Sequence, residues 1–199
     1  MMKIKIQKKD CYTEAVLRSR YTLFKTCVEQ TNLLNKETGL GIRQFNPPED
    51  LTENIVKFIL HNKKNDKSVV WARTVGRPGD LYSDVEQIIE VKAFTSGGPS
   101  SFGPKKVFNS IYFLDLQKWL DDIIVLWHVP LSNTSDTWKG LKMNKKKEET
   151  HDDQSKQGRR PHISWDRLYP QISTLCEKVY EGPFEDIFTP NSSVAPQLV

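Results

Sequence analysis

Cysteine is scarce in this chain. Cys11, Cys27 and Cys176 are the three in 199 residues, far apart and with no Cys-x-x-Cys pair. A disulfide framework or a zinc knuckle is therefore not expected, and the set fits a reducing interior. Histidine is as thin: His61, His128, His151 and His162 include no pair at metal-ligand spacing. No run approaches the ~20 apolar residues of a membrane span, so no membrane partner is expected. The opening MMKIKIQKK is basic, but acidic and polar residues follow where a signal peptide needs an apolar core. A cytoplasmic location is the expectation. An excess of one charge is also missing: at a formal +4, attraction for a polyanion must come from local clusters. No internal repeat is present.

The remaining composition, 37% hydrophobic and 27% charged, is that of a globular protein large enough for a real core. One domain over residues 1–190 is expected, with 191–199 a frayed tail. Val16, Leu23, Phe24, Cys27, Val28 and Leu34 recur at helical spacing and predict a helix from 13 to about 34, closed by Gly39 and Gly41. After Pro47-Pro48, Leu51, Ile55, Phe58 and Ile59 form the stripe of a second helix. Asp50 and Glu53 there have the spacing of a capping box. The patch Lys63–Lys67 reads as a solvated turn.

Strand signals begin at Val69-Val70-Trp71 and continue through GDLYSDVEQIIEVKAF, residues 79–94. SIYFLDL and IIVLWHVPL follow as central strands buried on two faces. Between them TSGGPSSFGPKK is a loop. Residues 139–161, with lysines, an acidic patch and Arg159-Arg160, read as a polar surface excursion. Pro170 stands against one uninterrupted helix in DRLYPQISTLCEKVYE. Trp71, Phe94, Tyr112, Phe113, Trp119 and Trp127 are expected in the core, and His128 as a satisfied core histidine. The order of elements indicates an α/β sandwich around a mixed sheet.

The chemistry concentrates in residues 79–94. Side chains alternate along a strand, so Glu90 and Lys92 project from one face, inside an otherwise apolar run. Charges buried there are costly unless they are paired or bind an ion. Asp80 heads the preceding strand and meets Glu90 if the two strands form a hairpin. The carboxylates of Asp80 and Glu90, with the Val91 carbonyl, are a donor set for Mg²⁺, which keeps several waters. Lys92 would stand beside the attacking water or steady the developing charge on phosphorus. The plainer alternative makes Asp80 a turn residue and Glu90–Lys92 a solvent-facing pair.

The Asp…Glu-x-Lys arrangement resembles the PD-(D/E)xK nuclease superfamily, and specifically its type II restriction endonucleases. Pro78 is separated from Asp80 by Gly79, a departure from the motif. PPEDLTENIVKFIL, KAFTSGGPSSFGPKK and QGRRPHISW also resemble segments of small restriction enzymes that cut GC-containing sites. The similarity covers roughly residues 43–166. It implies a restriction-endonuclease-like sandwich, a central mixed β-sheet flanked by α-helices. It makes Asp80 and Glu90 metal ligands and Lys92 the catalytic lysine, and it matches Glu53 to an acid contributed from an early helix. Glu53 thus keeps two readings, catalytic acid or helix cap. Asp84 and Glu86 are rival acids, expected to face solvent at the bend.

The implied activity is Mg²⁺-dependent, sequence-specific hydrolysis of double-stranded DNA leaving 5′-phosphates, by a homodimer at a short GC-rich palindrome of the GCNGC type. The alternatives are a junction or repair nuclease of the same fold, or a DNA-binding module without catalysis. Expected DNA contacts are Ser96, Ser100, Ser101, Lys105 and Lys106 in the loop that leaves the catalytic strand. Lys145 would contribute from the lysine cluster. Arg159 and Arg160 are candidates for reading guanine bidentately, and His162 for a phosphate contact.

Overall fold

The helix spacing and the strand signals resolve into two helices followed by a sheet. The structure is a computed structural model that describes residues 12–42, 45–97, 101–143 and 148–191. Helix α1 (Glu14–Thr38) starts where the Thr13 hydroxyl accepts the Val16 N–H, and it closes at Gly39. Its packed face is narrower than the sequence stripe. Leu17, Tyr21 and Val28 are buried, whereas Val16, Leu23 and Leu34 are exposed. Tyr21 stacks flat on Phe184, ring centres 3.7 Å apart, and this aromatic anchor sets which side of α1 turns inward.

Helix α2 (Glu49–Lys63) buries Leu51, Ile55 and Ile59 as the stripe predicts. The capping box is not formed. Pro48 occupies the N-cap with no side-chain cap. Asp50 is engaged by Tyr12 and Arg20, and Glu53 accepts the Trp71 indole N–H. Tertiary partners have claimed both acids. The Lys63–Lys67 patch is not simply solvated either. The Lys64 ammonium lies 3.3 Å from His128 Nδ1, and Lys67 donates to the His61 carbonyl at 2.6 Å.

Six strands form one sheet in chain order: β1 (Val70–Trp71), β2 (Leu81–Ser83), β3 (Gln87–Phe94), β4 (Ser110–Asp115), β5 (Ile124–Val129) and β6 (Glu177–Gly182). Neighbours are antiparallel except β3 and β4, which run parallel. A parallel pair needs a crossover. The segment 95–109 supplies it, and its described residues, 95–97 and 101–109, hold no helix, as the Gly/Ser/Pro composition predicts. Short helices α3 (Ala72–Val75), α4 (Asp136–Lys139), α5 (His151–Lys156) and α6 (Trp165–Ile172) complete the architecture. No helix among the described residues is long and apolar enough to cross a membrane.

The alternation of side chains splits the core into two layers. Ile89, Val91, Tyr112, Leu114 and Leu126 pack with α1 and α2. Phe94, Ile111, Phe113 and Val129 pack on the other face with Trp138, Leu168 and Ile172. Strand β4 is buried on both faces, each large side chain contributing about 1.5–3 kcal/mol. In β5, Val125 and Trp127 are only half-buried, because the next strand is the sheet edge. Phe102 and Phe108 pin the crossover into the second layer, each edge-on to Trp138 at 5.3 and 5.2 Å. The stretch 139–161 is also less of a surface excursion than its composition suggests. Leu141, Met143, His151 and Gln154 are buried, drawn in by the same Trp138 layer. Helix α6 carries Pro170 within its eight residues, and the chain then turns into β6, so the C-terminal segment is not one helix.

Candidate active site

Hairpin register brings the first two acids together. Leu81 pairs with Ile89, which sets Asp80 against Glu90, and the Asp80 N–H donates to the Ile89 carbonyl at 3.0 Å. Gly79 makes this approach possible. Its φ is +91°, and a Cβ there would come 2.8 Å from Ile88 Cγ2. The glycine inserted between Pro78 and Asp80 is thus required by the close packing of the hairpin.

Asp80 uses its two oxygens differently. Oδ2 accepts the Val91 N–H at 2.9 Å, and Oδ1 faces the Lys106 ammonium at 3.2 Å. Glu90, with 2% of its side chain exposed, pairs with Lys92 on its own strand face. The Lys106 Nζ also lies 3.0 Å from each Glu90 oxygen. Two carboxylates from opposite strands therefore converge on one cation. Burial alone would lower the Lys106 ammonium pKa, but Asp80 and Glu90 outweigh it and raise it.

Glu53 enters from the first turns of α2 and is buried. Burial first, and then the negative charge of Asp80, push its carboxyl up to about 7, with the Trp71 hydrogen bond opposing. This group can hold or release a proton near neutrality. Glu53, Asp80, Glu90, Val91 and Lys92 line one cleft of about 880 Å³. Ser101, Lys105, Lys106 and Arg160 line the same cleft from the crossover and from the α5–α6 segment.

Paired carboxylates under lysine and arginine suit a phosphodiester. A family model for Bsp6I restriction endonuclease matches residues 12–169. The chain belongs to that family. Membership in the Bsp6I family makes it a type II site-specific deoxyribonuclease, with DNA as its substrate. The matched span includes Glu53, the whole hairpin, the crossover and the Arg159–Arg160 pair. No curated protein and no solved structure matches the chain.

The cleft of this Bsp6I-family chain does not gather every residue singled out from the sequence. Ser96 is exposed at the start of the crossover and does not line it. Arg159 is paired with Glu149 at 2.8 Å and faces a second cavity, of about 350 Å³, with His162 and Arg167. Arg160 lines both cavities. Ser100 and Lys145 lie outside the described residues. Lys106, expected at a DNA phosphate, has its ammonium on the two carboxylates.

Three residues were missed. Arg73 of α3 lines the cleft, 3.8 Å from Glu49, and its place in WARTVGRPGD shortly before Asp80 was a readable signal. Thr52, one helix position from Glu53, lines it too. Arg167 lines the second cavity, and nothing in the local pattern marks it. Of the rival acids, Asp84 is exposed as expected, but Glu86 is not. Its carboxylate accepts Tyr112 Oη at 2.6 Å and Ser110 Oγ at 2.5 Å, and lies 3.3 Å from His128 Nε2. It belongs to a buried structural network, with His128 stacked on Tyr112 at 4.4 Å.

Among the described residues, no group of three or more His, Cys, Asp or Glu side chains is arranged to hold a metal ion. The donors at hand are two carboxylates and a backbone carbonyl, and Mg²⁺ is content with such a set when water completes its shell. A strand residue presents N–H and C=O to the same edge, so the Val91 carbonyl leaves β3 on Asp80's side. The Lys106 ammonium is a positive charge already seated where the carboxylates converge. The residues present fit a divalent ion.

Proposed function

We propose that this restriction enzyme cuts both strands of duplex DNA by PD-(D/E)xK chemistry with Mg²⁺. Asp80, Glu90 and the Val91 carbonyl would hold the ion. The observation that carries this reading is the convergence of Asp80 and Glu90 on a single ammonium at 3.0–3.2 Å. Restriction endonucleases generally use divalent metal ions, and a bound ion would supply charge neutralisation and a more acidic water.

The chain's own groups would do the rest. The Lys92 ammonium, tethered beside Glu90, orients the attacking water and meets negative charge growing on phosphorus. Glu53, with its carboxyl pushed up to about 7, can accept a proton from water at the cleft wall. Ser101 and Lys105 on the crossover and Arg160 from the α5–α6 segment, all lining the cleft, would give the DNA backbone hydroxyl and cationic partners. The products would carry 5′-phosphates.

The target we propose is a short GC-rich palindrome of the GCNGC type, read by a homodimer whose two-fold axis matches that of the site. Resemblance of the flanking segments to small GC-site enzymes supports the target. An arginine lining the cleft suits guanine O6 and N7.

Digestion of phage DNA with and without Mg²⁺ tests the reading, comparing wild type with Asp80→Ala and Lys92→Ala. Discrete, metal-dependent fragments that vanish in both variants are expected. Cleavage that persists in Asp80→Ala, or wild-type cleavage in excess chelator, sinks the mechanism. Sequencing the fragment ends gives the recognition site, and sedimentation gives the oligomeric state.

A further inference from the structure

We propose that Lys106 is a built-in cation that holds the metal position of the free enzyme and is exchanged out when the divalent ion enters. Its ammonium then passes to a DNA phosphate. The inference rests on the reading of Asp80 and Glu90 as metal ligands, and it adds a residue that neither the motif nor the family match assigns to the ion's binding.

Position is the first argument. The Lys106 Nζ lies 3.2 Å from Asp80 Oδ1 and 3.0 Å from both Glu90 oxygens. A Mg²⁺ ion sits about 2.0–2.1 Å from its carboxylate oxygens. An ion held by these same two carboxylates would compete with the ammonium for their oxygens, so the two cations exclude one another. Access is the second. The Glu90 and Asp80 side chains are 2% and 14% exposed, and that of Lys106 is 49% exposed. The lysine closes the carboxylate pair from the solvent side, and its half-exposed stem can swing outward.

The backbone that carries the lysine is fixed while its side chain is not. Asn133 Nδ2 donates to the Lys106 carbonyl at 2.5 Å, and Asn133 Oδ1 accepts the Phe108 N–H at 3.1 Å. The Lys106 N–H donates to the Gly103 carbonyl at 3.2 Å. A Cβ on Gly103 would come 3.0 Å from Lys106 Cγ, so the stem folds back where the turn leaves it room. Lys92 differs, because it is tethered to the face of β3 itself and stays with Glu90 whichever cation occupies the convergence point.

Charge balance gives the exchange its consequence. Where the two carboxylates of Asp80 and Glu90 converge, the ion-paired groups are the ammonium groups of Lys92 and Lys106. A divalent ion added to that set leaves an excess of positive charge, which expulsion of Lys106 beside a phosphate relieves. Metal and DNA then strengthen each other's binding through one side chain, and by linkage the effect is reciprocal.

Titration calorimetry of MgCl₂ or MnCl₂ into DNA-free protein tests this, using wild type, Lys106→Met, Lys106→Gln, Asp80→Asn and the surface control Lys118→Met. Far-UV circular dichroism establishes that each variant is folded. Both Lys106 variants are expected to bind metal about tenfold tighter than wild type. Lys118→Met should match wild type, and Asp80→Asn should lose binding. If the Lys106 variants bind no tighter while Asp80→Asn still loses binding, the metal site stands and the exchange is overturned. If Asp80→Asn binds like wild type, the metal reading falls and the exchange with it. A second readout is the gain in metal affinity on adding duplex DNA, expected to shrink in Lys106→Met and to overturn the exchange if it is unchanged.

Discussion

Asp80 Oδ2 accepts the backbone N–H of Val91 from the facing strand at 2.9 Å, so the first acid of the site is also a rung of the hairpin. That double duty separates what a substitution does to structure from what it does to chemistry. Asn keeps a carbonyl oxygen for Val91 and removes the charge. Asp80→Asn is therefore expected to unfold within about 1 kcal/mol of wild type, while cleavage falls by roughly 10²–10³ or more. Urea denaturation and plasmid cleavage measured on one preparation check both halves. A large loss of stability would make the aspartate chiefly structural.

Gly79 is the backbone condition for that contact. An alanine there would be strained by φ +91° and would drive its Cβ to 2.8 Å from Ile88 Cγ2. Gly79→Ala is expected to cost about 2–4 kcal/mol, strain and overlap adding. Chemical denaturation gives the value. A wild-type midpoint would mean that the hairpin can move aside.

Local rules in the sequence carried far. Period-two spacing put Glu90 and Lys92 on one face, and the apolar stripe of α2 placed Ile55 and Ile59 inward. The same local rules failed where distant partners intervened. Asp50 and Glu53 have capping-box spacing, yet Arg20 and Trp71 reach across to take them. Glu86 looked like a bend residue because Ser110, Tyr112 and His128 arrive from two later strands. The loop Ser96–Lys106 read as a DNA-contacting segment, but the anchoring of Phe102 and Phe108 on Trp138 is a long-range fact with no local signature. Lys106 was legible as a cation shortly after the strand of Glu90 and Lys92. Its seat on the carboxylates depends on that anchoring.

Arg159 and Arg160 are neighbours in sequence with different surroundings. The first is held by Glu149 at 2.8 Å, and the second lines both the cleft of Asp80 and Glu90 and the smaller cavity. Arg160→Ala is expected to weaken DNA binding by about 1–3 kcal/mol if the side chain reads a base. If it meets only a phosphate, it should instead flatten the salt dependence by about one unit of slope. Arg159→Ala should weaken binding less, because its charge is already spoken for by Glu149. Fluorescence anisotropy on a labelled duplex at several salt concentrations distinguishes these outcomes. Equal losses for the two variants would refute the division of roles.

Glu86 offers a pH signature away from the cleft. Burial would raise its pKa, but the His128 imidazole 3.3 Å away and hydrogen bonds from Ser110 and Tyr112 overcome that and hold the carboxyl down to about 2, from an ordinary value of 4.5. Below pH 4.5 the unfolded chain takes up this proton before the folded one does. The stabilisation is therefore complete above about pH 4.5 and is lost as pH falls toward about 2. It is worth about 3 kcal/mol at most. Glu86→Gln keeps the shape and loses the charge, so it should be about 2–3 kcal/mol less stable than wild type at pH 7. The gap should close as pH falls, because wild type surrenders the same interaction. Urea midpoints of both proteins at pH 7, 4.5 and 3 measure it. Absence of a gap at pH 7 would show that the network is held by packing of Tyr112 on His128 rather than by the carboxylate.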